Sequence, residues 1–568
     1  MASILAAVLV SGCGLEVAPA LSFVGLTDVP CGTQGQVQFG SLPVMLTAAR
    51  PGEIQRVTLS VNEGAVEEVT AAPYLFQVDT TKLKDGTVTL AAAGYTADGD
   101  RSDVSLSICV DNQPPGVTVL SPADGVTYGL EDAVLTARVR ATDSVGLAHI
   151  TARLILPQGS VQVACTPPGG PDATCALSPA KLGISPAPGV ITSGVLMVTA
   201  RDRAGHEAVG QRTVKFKTRL LWSFNAGSPI TFTAAALSGG NVAVGTDAGK
   251  VHVLDASGAE TCAWQAPAGT SGNNGLTSDL AVSKDGATLV FTTVEGMHAI
   301  SAACKDRWSS PAKGLYYGSR PLLDEVGGLV YVGAYGGYAT PPVLGAHSVS
   351  TGASKGTFNL SATANVGVGS SPVLSSDRKL VYIGSSDQKL YAVDVSGGPS
   401  KMKAAWTHGT AGKIDTRPLL SGTRVYVASF DAIFHALDAV SGQRVGNFTF
   451  KAGAPFLSSP AVGEGGVIYV GSLDEFLYVL DSTGKQLGSH KLGRMLHTSP
   501  VVAGAQVIAA ATSPARLHVY DKQLKQLWYW QPAGTDQFRA TPLVVKDTVY
   551  IGNTNGYLYA LDIATAGQ

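Results

Sequence analysis

The chain is short of charge. Asp, Glu, Lys and Arg together make up 14% of its 568 residues, and they nearly cancel, leaving a formal net charge of −2. A typical soluble domain carries roughly 25%. Without an excess of Lys and Arg there is no broad basic field to attract nucleic acid. No apolar run approaches the roughly 18–20 residues of a membrane-spanning helix. There is no Cys-x-x-Cys, so zinc ribbons and c-type haem attachment have no basis. His-Glu-x-x-His and Walker-type loops are also missing, which removes the usual grounds for a zinc protease or a nucleotide enzyme. What the chain has instead is 45% apolar residues and 67 glycines. That composition excludes a disordered chain and points to turn-rich β structure.

Residues Ile4 to Val10 form a short apolar stretch that ends in Val10-Ser11-Gly12-Cys13. An apolar residue, two small ones and a cysteine resemble the lipobox of bacterial lipoproteins, where a signal peptidase cuts before a cysteine that carries lipid. The resemblance implies lipidation at Cys13, although Met1 to Val10 lacks the Lys or Arg that usually precedes the apolar stretch. Six further cysteines remain, in three regional pairs: Cys31 with Cys109, Cys165 with Cys175, and Cys262 with Cys304. An even number is expected of disulfides in an oxidising compartment. The third pair has to bridge neighbouring repeats.

Residues 28–113 read as short alternating strands, among them Val57-Thr58-Leu59-Ser60-Val61 and Val104-Ser105-Leu106-Ser107-Ile108, separated by turn signals such as Asp85-Gly86 and Asp98-Gly99. This spacing predicts a β-sandwich. The stretch from Pro73-Tyr74-Leu75-Phe76 through Asp79-Thr80-Thr81 to Leu90 resembles the bacterial immunoglobulin-like domains of surface proteins. A second such unit is expected over 114–218, after the stiff Pro114-Pro115 junction.

From residue 219 onward the chain repeats. Segments such as Val251-His252-Val253-Leu254-Asp255, Leu390-Tyr391-Ala392-Val393-Asp394 and Leu558-Tyr559-Ala560-Leu561-Asp562 recur eight times, with His252, His298, His347, Tyr391, His435, Tyr478, His518 and Tyr559 aligned. Repeats of about 40–50 residues signal a solenoid or a propeller. Many units open on a polar-Pro-apolar triplet (Ser371-Pro372-Val373, Arg417-Pro418-Leu419, Thr541-Pro542-Leu543), continue with a strand such as Val381-Tyr382-Ile383-Gly384, and close on a strand bearing an aromatic: Trp264, Trp308, Phe358, Trp406, Phe448 or Trp528. The pattern resembles the pyrroloquinoline-quinone-type (PQQ-like) repeat of eight-bladed β-propellers. The fold expected is therefore all-β: a signal peptide and tether over 1–27, two Ig-like β-sandwiches over 28–113 and 114–218, and an eight-bladed propeller over 219–568. The last unit stops after three strands, so the orphan strand Leu220-Leu221-Trp222-Ser223-Phe224, within 219–226, is expected to complete it.

The aligned His and Tyr residues occur once per blade, so packing between blades is expected of them rather than metal binding. The aromatics of the closing strand are expected to dock on the backbone of the next blade near a turn glycine, as the resemblance implies. Asp111-Asn112, Asp143 and Asp202 occupy ordinary turn contexts. A cation would need several such oxygens to converge, so no metal site is expected. Quinone chemistry is not expected either, because the chain has no Cys-Cys dipeptide and its units leave little length for a covered site. The remaining candidates for ligand binding are Arg320, Arg417, Arg494 and Arg539, with Lys413 beside them, near the starts of inner strands at one mouth of the channel. Guanidinium groups there suit carboxylate or phosphate, with Asp279, Asp415 and Asp536 as local counter-charges.

The expected protein is a non-enzymatic, cofactor-free lipoprotein with no catalytic residues. It would be a monomer anchored by lipid to the bacterial outer membrane, facing the periplasm or the exterior, and would bind envelope proteins but not nucleic acid. The propeller resembles the lipoprotein of the outer-membrane β-barrel assembly machinery, which scaffolds partner proteins; the paired sandwiches are a departure from it. The alternatives are a quinone-dependent periplasmic dehydrogenase and a glycan-binding adhesion protein.

Overall fold

The computed structural model describes residues 19–564 except 33–35, 65, 133, 179–186, 189, 269–274, 312–315, 336–340, 362–366, 447, 494–497 and 533–535. Cys13 and Arg494 therefore lie outside the described residues. The chain packs as two compact units. One comprises Met1–Val126, Val134–Leu182 and Ser193–Lys215; the other comprises Thr127–Ala133, Gly183–Thr192 and Phe216–Gln568.

The first unit holds two β-sandwiches. In the first, strands Leu21–Val24, Ser41–Ala48 and Tyr74–Asp79 form one sheet. Val37–Gln38, Arg101–Val110, Gly86–Thr96, Ile54–Val61 and Val66–Val69 form the other. Tyr74–Asp79 alternates strictly between buried and exposed residues, as a strand with one face on a core must. Val44, Leu46, Val57, Phe76 and Leu90 meet in that core. Leu21–Val24 pairs with Met45–Ala48, so a stretch expected in the tether belongs to the sandwich. The second sandwich sets Gly116–Ser121, Leu135–Thr142 and Asp172–Leu177 against a sheet containing Gly159–Ala164, Leu147–Leu156 and Ile191–Asp202. Both sandwiches carry the expected disulfide, Cys31–Cys109 and Cys165–Cys175.

The second unit is the propeller. Among the described residues it contains eight antiparallel sheets of the same design. Their second and third strands, such as Leu380–Gly384 and Lys389–Asp394, are almost wholly buried, whereas the outer strand Lys403–Gly409 alternates. A blade interior is covered on both faces by its neighbours, and only its outer edge meets water, which explains continuous apolar runs inside and alternation outside. Leu220–Asn225 pairs with Tyr557–Asp562 in the register Leu220↔Leu561 and Phe224↔Leu558, so the last blade is completed from both ends of the region.

The joints between blades follow one rule. Trp222, Trp308, Trp406 and Phe448 lie flat against Gly258, Gly352, Gly442 and Gly484 of the next blade, so closely that a Cβ on those glycines would come within 2.4–3.1 Å of the ring. Gly442 also sits at φ +73°, where side chains are strained. Three indole N–H groups donate to carbonyls of the same turns: Trp222 to Ala256, Trp308 to Val349 and Trp406 to Ala439, at 2.9–3.2 Å. Two joints are built in reverse. Gly356 stands in the aromatic's place and is filled by the backbone of Pro399, and Gly488 faces the turn that carries the buried Leu524. At one joint Cys262 pairs with Val253 in the register where Trp406 pairs with Ala392, and the disulfide to Cys304 joins the blades instead of a ring.

The joint onto the last blade has no continuous turn, because the strand that follows Tyr557–Asp562 in the sheet, Leu220–Asn225, comes from a distant part of the chain. Arg219 takes its place. Its guanidinium lies 4.5 Å from the Trp528 ring centroid and donates to the carbonyls of Asp562 and Ala564 at 3.1 and 2.7 Å. It also pairs with the buried Asp132 through Nε at 3.1 Å and through Nη2. Lys217 bonds the Asp562 carboxylate. Removing one partner of a buried ion pair costs about 3–5 kcal/mol, because the other charge is left uncompensated. Arg219→Ala is therefore expected to lower the unfolding free energy of the propeller by about that amount. Arg219→Lys should not restore it, since an ammonium cannot serve a carboxylate, two carbonyls and a ring face together. A denaturation midpoint unchanged in both variants would contradict this closure.

Candidate functional site

In each blade the residue two positions before the inner strand lies at one mouth of the propeller. Thr233, Asp279, Arg320, Ser371, Arg417, Ser459, Ser499 and Thr541 all line a single cavity of about 530 Å³. The polar-Pro-apolar triplet explains the placement. Proline fixes an extended start to a short strand that needs no donor there, and the preceding polar residue is turned toward the axis.

Neighbouring blades are linked at this ring by one repeated bond. The backbone N–H of Arg320 donates to Ser371 Oγ at 3.2 Å, that of Arg417 to Ser459 at 2.9 Å, that of Ser459 to Ser499 at 3.0 Å and that of Ser499 to Thr541 at 3.1 Å. Thr233 N–H donates to Asp279 Oδ1 at 2.7 Å. At the two steps where the next residue is Arg320 or Arg417, the side chain has no acceptor to offer. Their guanidiniums are thus released from the ring's own bonding. Among the described residues neither is in an ion pair, whereas Asp415 is held by Lys413 at 2.6 Å. Partial desolvation lowers the pKa of Arg417, the nearby Arg320 lowers it further, and Asp279 opposes both; Arg417 stays cationic at any physiological pH. Two guanidiniums at the mouth of one cavity supply the kind of donors from which carboxylates and phosphates accept.

The structure thus brings Arg320 and Arg417 together and leaves Arg539 out. Arg539 is exposed, donates to Gln537 at 3.3 Å and does not line the cavity. The residue that faces the axis in its blade is Thr541, two positions later. Asp536 likewise belongs elsewhere, bonded to Asn553 at 2.6 Å.

The aligned His and Tyr residues do not converge on a common point. Each packs on an outer-strand ring of the preceding blade: His252 on Phe224, His298 on Trp264, Tyr391 on Phe358, His435 on His408, Tyr478 on Phe450, His518 on His490 and Tyr559 on Trp530, with centroids 4.8–6.5 Å apart. His347 is a correction. The register Leu344↔Phe358 and Ala346↔Gly356 makes Gly345 the equivalent residue, and the His347 ring covers Gly345 from two positions on. The closing-strand aromatics also divide into two positions. Trp308, Trp406, Phe448 and Trp528 belong to the blade-joint position, while Trp264 and Phe358 lie two residues further along and pack on the aligned rings. One Gly-x-Ser-x-Gly pentapeptide is present at Gly352–Gly356. It joins two antiparallel strands and no helix follows, so Ser354 is not on the strand-to-helix turn that such a nucleophile requires.

Three comparisons place this geometry among known proteins. The family model described as "Outer membrane protein assembly factor BamB" matches residues 261–444 and 431–568, and one described as "Bacterial Ig domain" matches 33–92. Among solved structures, the propeller is similar to BamB from Moraxella catarrhalis, at 16% identity and a TM-score of 0.50, over 60% of this chain and 99% of that one. The computationally designed Ika8 protein aligns at 15% identity and a TM-score of 0.48, over 60% of this chain and 98% of that one. No curated protein matches.

The buried imidazoles make the blade joints acid-sensitive. Desolvation, with His490 and Arg516 adding to it and Gln526 opposing, brings His518 down to about 4. The unfolded chain then binds more protons than the folded one between about pH 6.5 and 4, so stability is full above that window and falls as pH drops through it. The melting temperature is expected to decline from pH 7 to pH 4.5, and His518→Gln should flatten that decline. Equal slopes for the two proteins would show that His518 is not buried in its neutral form.

Proposed function

The chain belongs to the family described as outer membrane protein assembly factor BamB, whose model spans more than half of its length, and from that premise we propose that it is a non-enzymatic scaffold of the bacterial cell envelope. The propeller is the binding head. The two sandwiches display it, and Cys13 anchors it by lipid to the outer membrane. The partner is an envelope protein that offers an acidic or carboxylate-bearing segment to the channel mouth.

One observation carries this reading. Of the eight residues that ring the mouth, five accept a backbone bond from a neighbour, whereas the two arginines have no acceptor to offer, and their side chains line the same cavity. The side chains of Asp279, Ser371, Ser459, Ser499 and Thr541 are occupied in bonds between blades. The cavity therefore offers fixed cations on a stiff frame. A frame that needs no ordering on binding loses little affinity to conformational entropy.

The test uses the full chain and a fluorescent poly-glutamate peptide as probe. Arg320→Glu with Arg417→Glu is expected to weaken binding at least tenfold, about 1.4 kcal/mol or more, and to abolish crosslinking to partners in native envelopes. Arg539→Glu should leave both within a factor of two or so, because that residue lies outside the cavity. Unchanged binding in the double variant, or equal losses in all three substitutions, would refute the assignment.

A further inference from the structure

A second group of polar side chains gathers in the sandwich unit. Asp111 follows the strand Arg101–Val110 of the first sandwich. Asp202 ends the strand Ile191–Asp202 of the second, and His206 lies in the turn that follows. A carboxylate oxygen from each aspartate and a ring nitrogen of His206 all lie within 4.8 Å of one another.

Two side-chain atoms of this group are buried without a hydrogen-bond partner, Asp111 Oδ2 and His206 Nε2. Asp202 is well served: Oδ1 accepts from the N–H groups of Gly205 and His206 at 2.7 and 2.9 Å, and Oδ2 lies 2.9 Å from His206 Nδ1. Asp111 is not. It is 0% exposed, its Oδ2 has no hydrogen-bond partner, and Oδ1 receives only a long contact from Gln113 N–H at 3.4 Å. Asn112 Oδ1 is also buried without a partner. Its amide is not free to flip, because Nδ2 donates to the carbonyls of Thr80 and Leu83 at 2.8 and 3.0 Å. The carboxylates of Asp143 and Asp202 lie near enough to repel that of Asp111. A buried carboxylate oxygen with no donor and with carboxylates as neighbours is unfavourable unless a positive charge occupies the same space.

We propose that Asp111 and Asp202, with the amide oxygen of Asn112, hold a calcium ion between the two sandwiches. The donor set is dominated by oxygen, with two carboxylates, an amide carbonyl and Asp143 as further nearby charge. That is the set a hard cation of flexible coordination takes. His206 orients the site: its ring nitrogen fixes the Asp202 carboxylate, as partners of metal-bound carboxylates commonly do. Because the ligands come from both sides of Pro114-Pro115, the ion ties the first sandwich to the second. The backbone junction supplies stiffness along the chain, and the ion supplies it across the junction.

The experiment is calorimetric titration of the full chain, stripped with EDTA, using CaCl2 and separately ZnCl2, together with melting curves in each. One calcium ion per chain and a melting temperature several degrees higher in millimolar CaCl2 than in EDTA are expected. Asp111→Asn keeps the shape and removes the buried charge, so it should melt in EDTA no lower than the parent. It should bind calcium at least tenfold more weakly and lose the calcium-dependent shift. No calcium heat and no shift in the parent chain would overturn the proposal. So would binding of zinc alone, which would make His206 a ligand, or a calcium response retained in Asp111→Asn. None of these outcomes bears on the propeller's channel mouth, so this proposal and the proposed function fail or stand separately.

Discussion

The propeller depends on one repeated contact, in which a side chain from the outer strand of one blade fills a slot made by a turn of the next. A four-stranded blade has two apolar faces and cannot cover either alone. The slot fixes the angle at which faces meet, and whatever occupies it must have the right volume. The chain solves this in several ways. An indole lies on glycine at Trp222, Trp308 and Trp406, and a phenyl ring at Phe448. Pro399 fills the reversed joint at Gly356, a disulfide links Cys262 to Cys304, and a guanidinium covers Trp528. Burial of a large aromatic at such a slot contributes on the order of 3 kcal/mol, and a ring has no end at which a weak joint could be spared. That is why the one joint without a continuous turn is also the most heavily bonded, with Arg219 contacting Asp132, Asp562, Ala564 and Trp528.

The same rigidity produces the site. Because each blade is held at a set angle, the residue before each inner strand reaches the axis at a set height, and eight such residues form one ring. At five positions a seryl, threonyl or aspartyl side chain closes a bond to the preceding blade. An arginine cannot, since it has no acceptor. Placing Arg320 and Arg417 in the ring therefore omits two structural bonds and gains two cations in a narrow mouth. Structure and recognition are thus in direct competition at each position of the ring, and the residue type decides which prevails.

Much of this was legible in the sequence, for a physical reason. A repeat writes its core eight times, so the burial of Val-Tyr-x-Gly strands and the pairing of Leu220–Asn225 with the last unit follow from counting strands. The errors arose where one-dimensional similarity diverges from register. His347 attracts alignment with His298 and His435, yet the structural equivalent is Gly345, whose missing side chain His347 covers. Trp264 and Trp406 look alike in sequence but sit two residues apart, because Cys262 takes the joint position in that blade. Of the four arginines proposed for the mouth, Arg539 misplaces the axis by two residues, and Thr541 faces it instead. Asp111 and Asp202 read as turn residues because their meeting, across 91 positions of chain, belongs to tertiary structure alone.

The central claim is that the chain's two distant segments, Leu220–Asn225 and Tyr557–Asp562, form one sheet that seals the ring. Amide hydrogen exchange measures this directly. In a ring sealed this way, the backbone N–H groups of Leu220–Asn225 bonded in that sheet exchange as slowly as those of interior strands such as Leu380–Gly384, and both open in the same cooperative event. Exchange of Leu220–Asn225 at the rate of a free terminal segment, with the interior strands still protected, would contradict it.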